Sequence, residues 1–243
     1  MFVKICGITN ENDALLSVAL GADAIGFIFA PSKRQVSKDQ VKDIVKQLPS
    51  EIMTFGVFVN ENPDSVVRTV HEIGLSGAQL HGSEGPEAVD YISSRMQVVL
   101  KAFSGNLPTV ERMAKFNANA FLIDSPNPGS GIAFDWTECV GLSAKVRLIL
   151  AGGLTPENVE DAIRIVRPFG VDVSSGVEAR PGKKDPAKLR LFIAKSRAAL
   201  LEIPGRDSEI DSSVNPFVQD LISKRSAMIE KSGDGVFDWE EEL

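Results

Sequence analysis

The sequence predicts a (β/α)8 barrel, and three observations carry that reading. Eight short apolar runs recur along roughly the first 200 of 243 residues, rich in Val, Ile, Leu or Phe and without sustained alternation, as parallel strands buried on both faces require. A helical stretch follows each run, the order expected of a single α/β domain of this length. The residues just beyond the runs are unusually polar or glycine-rich, which suits the end of a barrel where chemistry is placed. An open doubly wound sheet is the alternative that alternation alone leaves standing.

In chain order, Phe2–Cys6 is the first strand and delivers Cys6 into a turn at Gly7, before a helix over Glu11–Leu20. Ala24–Phe29 precedes Lys38–Leu48, and Met53–Val59 precedes Pro63–Ile73, whose proline suits the first helical position. Ala78–Leu80 leads to Pro86–Ser94, again opened by proline and followed by an acid, which the positive helix N-terminus favours. Val98–Phe103 with Thr109–Phe116, and Ala120–Ile123 with Asp135–Leu142, make the fifth and sixth units. Val146–Leu150 with Pro156–Val166 and Gly170–Val173 with Pro186–Leu200 complete the eight.

Charge divides unevenly. Residues 1–200 hold 22 acids and 22 bases, so the net charge of −7 comes wholly from residues 201–243, with eleven acids and four bases. A neutral body lacks the basic face expected of a nucleic-acid binder. Cys6 and Cys139 are the only cysteines, far apart and without CxxC spacing, which argues against a disulfide framework or a structural zinc site and favours a reducing cytoplasm. The start carries no basic-then-apolar leader, and no apolar run approaches about 18 residues, so neither secretion nor a membrane span is expected.

The strand ends supply the candidate chemistry. Ala151-Gly152-Gly153-Leu154 and Val173-Ser174-Ser175-Gly176 follow the seventh and eighth strands, where barrels often bind phosphate through backbone N–H groups. Either turn alone reads as an ordinary tight turn; together they predict a phosphorylated small-molecule ligand. Arg34, after Pro31-Ser32-Lys33, could grip a carboxylate bidentately, against the common case of a solvated surface arginine. Asp124 ends an apolar run and could donate a proton, although capping the following loop is the plainer role. A Cys6 thiolate could accept one, although a small buried hydrophobe is what free cysteines usually are. His81 could touch the ligand or brace a neighbouring loop. His71 is expected on a helix surface, and Cys139 in packing.

These motifs resemble the phosphoribosylanthranilate isomerase family. The resemblance rests on Lys4-Ile5-Cys6-Gly7-Ile8-Thr9, Gly26-Phe27-Ile28-Phe29 with Ser32-Lys33-Arg34, Gly56-Val57-Phe58-Val59-Asn60, Gln79-Leu80-His81-Gly82, Ala151-Gly152-Gly153-Leu154 and Asp172-Val173-Ser174-Ser175-Gly176-Val177-Glu178, in order across roughly residues 2–200. Pro181-Gly182-Lys183-Lys184-Asp185 fits the same pattern. The resemblance implies an Amadori rearrangement in tryptophan biosynthesis, with Asp124 as general acid at the ribose ring oxygen and Cys6 as general base at C2. It further implies Arg34 on the anthranilate carboxylate, and Gly153, Ser174, Ser175 and Gly176 on the phosphate. No metal, nicotinamide or pyridoxal cofactor is implied, because the substrate's own imine is the electron sink. A thiol at its ordinary pKa is only a few per cent ionised at neutral pH, so the site must supply positive charge. Lys4, Arg34 and the imine are the sources in view.

Two other readings compete. The sister isomerase of histidine biosynthesis carries aspartate at the Cys6 position, and a barrel that has lost catalysis could bind phosphate as a regulatory module. Residues 201–243 depart from the family pattern: a proline-bounded linker, then Phe217–Lys231 with an apolar stripe of Phe217, Val218, Leu221, Ile222, Met228 and Ile229, then an acidic end. A helix packed on the barrel is the plain expectation for this tail; a docking helix for a pathway enzyme, or the start of a fused domain, are sharper ones. Monomer and homodimer both stay open.

Overall fold

A computed structural model describes residues 1–104, 108–125 and 136–201, all within the compact unit Met1–Arg206. The expectations for the tail beyond residue 201 lie outside the described residues.

Eight parallel strands close into a barrel in chain order: β1 Phe2–Cys6, β2 Ala24–Ile28, β3 Met53–Phe58, β4 Gly77–Leu80, β5 Val98–Ser104, β6 Ala120–Asp124, β7 Leu148–Leu150 and β8 Gly170–Val173. Closure comes from β8 pairing with β1, which sets Lys4 opposite Asp172. An open doubly wound sheet is thereby excluded.

Helices α1 Glu11–Ala19, α2 Lys38–Val45, α3 Pro63–Ile73, α4 Pro86–Ser93, α5 Val110–Met113, α6 Val159–Val166 and α7 Pro186–Leu201 surround the strands. Their starts follow local chemistry. Asn10, Ser37, Asn62 and Thr109 cap α1, α2, α3 and α5 by accepting backbone N–H bonds, and Pro63 and Pro86 open α3 and α4. A layer of Val3, Ile5, Ile25, Phe27, Val99, Ile123, Leu150 and Val171 packs against Val41, Val70, Ile92, Ile163 and Phe192 of the helices. Alternate strand positions, Lys4, Cys6, Gly26, Phe55, Gln79 and Asp172 among them, face the barrel interior instead.

Several expected helices fall short: α2 ends at Val45 rather than Leu48, and Thr109–Phe116 yields only the four residues of α5. Of the expected helix Asp135–Leu142, the described residues 136–142 hold only a 3-10 turn over Trp136–Cys139, which runs into turns around Gly141 at φ 87°. The seventh helix begins at Val159 rather than Pro156, because Asn158 folds the preceding loop: its Oδ1 accepts from Thr155 N at 2.8 Å and its Nδ2 donates to Gly153 O at 2.9 Å. Strand ends differ from expectation by a few residues at most: β2 and β3 stop one residue early, and β7 begins two residues late.

Beyond β8 the chain makes a 3-10 turn over Ser175–Val177 and a small antiparallel pair, β9 Glu178–Arg180 with β10 Lys183–Lys184. Thr9 Oγ1 donates to Gly182 O at 2.5 Å, and Asp13 accepts from Lys183 Nζ and Lys184 N, each at 2.8 Å. This strap ties the end of β8 to the loop after β1.

Candidate active site

Cys6 ends β1 and Asp124 ends β6, so both stand at the C-terminal mouth, separated around the barrel by β8 and β7. Cys6 is 6% exposed and Asp124 8%. Both are nearly buried at the mouth, yet neither is sealed.

The thiol sits in a charged corner. Glycine at position 26 makes room for this corner: a Cβ there would lie 2.9 Å from Cys6 Sγ and 3.0 Å from Lys4 Nζ and would push both side chains aside. Lys4 is fully buried and donates to Asp172 Oδ1 at 2.8 Å. Burial works to discharge Lys4, but Asp172 and Cys6 outweigh it and hold the ammonium above its ordinary pKa. Burial also pushes the Cys6 thiol up; Lys4 and Lys184 pull it back, Asp172 opposes them, and the net effect is upward. Without substrate, the site therefore favours the thiol over the thiolate.

Asp124 divides its two oxygens. Oδ1 accepts from Ser125 N at 2.7 Å, the loop-capping role expected of a strand-end aspartate. Oδ2 lies 3.3 Å from His81 Nε2, off the line of a good hydrogen bond, and His81 Nδ1 meets Gln79 Nε2 at 2.8 Å. His81 thus joins the acid rather than standing apart. Its loop is braced from below: buried Lys101 donates to Gly82 O and to Glu84 Oε2, each at 2.7 Å, while Glu84 accepts from Asn60 N at 2.8 Å.

Arg34 is not a solvated arginine. Its Nε and Nη2 grip Glu178 at 2.8 and 2.7 Å, which commits one edge of the guanidinium and leaves the Nη1 edge for a ligand. Burial resists charge on Glu178, but Arg34 and Lys184 overcome it and hold the carboxyl below the usual range. Lys184 Nζ also donates to Cys6 O at 2.7 Å and Ser174 O at 3.0 Å, stapling the ends of β1 and β8. Gly7, at φ 71°, fits between Arg34 and Ser174; a Cβ there would stand 2.6 Å from Arg34 Cδ and 2.7 Å from Ser174 Oγ.

The two glycine turns touch. A Cβ on Gly176 would run into the carbonyl oxygen of Leu154, so the β7 and β8 turns meet backbone to backbone. Gly152 and Gly153 take left-handed φ values of 76° and 70°. Ser174 Oγ is buried with no hydrogen-bond partner among the described residues, a state that ordinarily signals a missing ligand or water.

A sequence model of the N-(5'-phosphoribosyl)anthranilate (PRA) isomerase family matches residues 3–195. The chain belongs to that family. The isomerase of Pelobacter propionicus is 47% identical over 196 residues, covering 79% of this chain and 93% of the relative. The crystal structure of the Thermus thermophilus isomerase has a TM-score of 0.77 at 41% identity, covering 82% of this chain and 99% of that one. A second isomerase structure, in complex with reduced 1-(o-carboxyphenylamino)-1-deoxyribulose 5-phosphate, has a TM-score of 0.72 at 42% identity, over 82% and 99% of the two chains. The family model's match ends at residue 195, before the tail begins.

Sequence reasoning gathered Cys6, Arg34, His81, Asp124 and the two turns, but it passed over Glu178, Lys184, Glu84 and Gln79 as working parts. A signal was available for Gln79, Lys101 and Asp172: each is a polar residue inside an otherwise apolar strand. Among the described residues no three His, Cys, Asp or Glu side chains gather as a metal set.

Proposed function

We propose that the protein catalyses the Amadori rearrangement of N-(5-phosphoribosyl)anthranilate to 1-(2-carboxyphenylamino)-1-deoxyribulose 5-phosphate, in tryptophan biosynthesis. The observation that carries the reading is a carboxyl and a thiol at one barrel mouth, beside two abutting glycine turns, in a member of this isomerase family.

The roles follow from position. Asp124 gives its proton to the ribose ring oxygen as the C1–O bond breaks, leaving a C1=N iminium. Cys6, as thiolate, takes the C2 proton; the C–H electron pair becomes a C1=C2 bond, and the imine pair returns to nitrogen. The enolamine then ketonises to product. The thiol's own proton leaves to solvent before this step. Phosphate binds the turns at Gly153 and at Ser174, Ser175 and Gly176, where the unpartnered Ser174 hydroxyl finds an acceptor. Arg34 meets the anthranilate carboxylate through Nη1, and His81 lines the acid's side of the ligand. We place the enzyme in the cytoplasm, where the free Cys6 stays reduced.

The direct test generates the unstable substrate in situ and follows the loss of its fluorescence. Turnover is expected, and its absence from the folded chain would refute the assignment. Removing the Glu178 charge should loosen Arg34, so Glu178→Gln is expected to raise KM about tenfold, the equivalent of about 1.4 kcal/mol, with a smaller change in kcat. An unchanged KM would remove Arg34 from carboxylate binding.

We assign the activity to the barrel of residues 1–200 and none of it to residues 201–243. Deleting residues 204–243 should leave kcat and KM within about twofold, since the family model's match ends at residue 195. Lost turnover in a truncated chain with an unchanged circular dichroism spectrum would assign the tail a part in catalysis.

A further inference from the structure

We propose that Lys4, pinned by Asp172, is the positioning residue of the general base: a fixed buried cation against which Cys6 carries its negative charge. The proposal rests on the isomerase reading for its purpose, but its geometry stands without it.

A fully buried ammonium at the core of a barrel is costly unless a carboxylate offsets it. Asp172 does so at 2.8 Å, from the strand that pairs with β1, in a register that sets the two residues directly opposite. A pair serving only to hold strands together would have no need to share space with the thiol. Here Lys4 Nζ and Cys6 Sγ both lie within 3.0 Å of the place a Gly26 Cβ would occupy, so ammonium and sulfur border the same gap.

The other charged groups that act on the thiol are accounted for. Lys184, in β10, favours the thiolate by its charge, but its Nζ is already committed to Cys6 O, Ser174 O and Glu178. Arg34, from the loop after β2, interacts with Cys6 by charge while its fork holds Glu178. Asp172 opposes ionisation of Cys6 directly, yet it keeps Lys4 charged and still. Lys4 alone stands beside the sulfur at the Gly26 position, and its charge is the largest influence favouring the thiolate. The substrate's iminium then adds a second positive charge only when it is needed.

The test titrates Cys6 in the full chain without substrate. Ultraviolet thiolate absorbance is followed against pH, each protein being referenced to the same protein with Cys6→Ser. Lys4→Met should move the midpoint up by about one pH unit, a tenfold loss of thiolate at a given pH. Lys4→Arg should restore most of it. Should Lys4→Met fail to fold for want of a partner for Asp172, the double variant Lys4→Met with Asp172→Asn removes both charges. Its midpoint should also rise, by less, because the carboxylate's opposition is lost as well. An unchanged or lower midpoint in a folded Lys4→Met or double variant would overturn the proposal. Absent isomerase turnover with the titration as expected would instead sink the reaction and leave the pairing intact.

Discussion

Replacing Asp124 by asparagine should lower kcat about 10³-fold with little change in KM, within the range lost when a positioned general acid is removed. The substitution keeps size and shape, and its side-chain oxygen can still accept the Ser125 N–H that Asp124 accepts at 2.7 Å. What disappears is the proton aimed at the ring oxygen. Without it, the C1–O bond must break to a free alkoxide, a cost paid only in the transition state, so the loss falls on kcat. His81, 3.3 Å from the other oxygen, would then face an amide. The in situ fluorescence assay reads the effect, with circular dichroism reporting the fold. Activity within threefold of wild type would remove Asp124 from the reaction.

An equally large loss is expected from Cys6→Ser. A serine hydroxyl is nearly isosteric but does not ionise at accessible pH, and the Lys4 corner that stabilises a thiolate cannot bring an alkoxide into range. About 10²- to 10⁴-fold should go from kcat. The pH dependence of the Asp124→Asn enzyme, in which no general acid is left to titrate against the base, carries the same message. The active form of the base is deprotonated, and burial holds the thiol above its ordinary pKa, so the residual kcat/KM of that variant should keep rising with pH through neutrality and beyond. A flat profile across that range, or a Cys6→Ser enzyme of near-normal kcat, would move the base elsewhere.

The fold was legible because burial on both faces writes itself into a sequence. Parallel strands inside a ring of helices are short and largely apolar, and helix starts are marked locally, by the side-chain hydrogen bonds of asparagine and serine and by the fixed φ of proline. Hence the eight strands and five of the helices stand close to where the residues place them. Elements held by distant partners were less legible. The run 135–142 has helical composition, but its described residues 136–142 hold only a single 3-10 turn, and α6 starts late because Asn158 commits its side chain to the loop before it.

The candidate site divides along the same line. Cys6, Asp124, Arg34 and the glycine turns each follow a strand, and a closed barrel brings all such ends to one mouth whatever the tertiary detail. That much the sequence determined by itself. Which groups pair there is settled by contacts between residues up to 178 positions apart in the chain, as between Lys184 and Cys6. Only the tertiary structure commits one edge of Arg34 to Glu178, turns His81 toward Asp124 and seats Lys4 between Asp172 and the thiol. The physical reason is that strand position follows from local burial patterns, whereas the ionisation of a buried group follows from which charges share its low-dielectric surroundings. No periodicity in a chain records that.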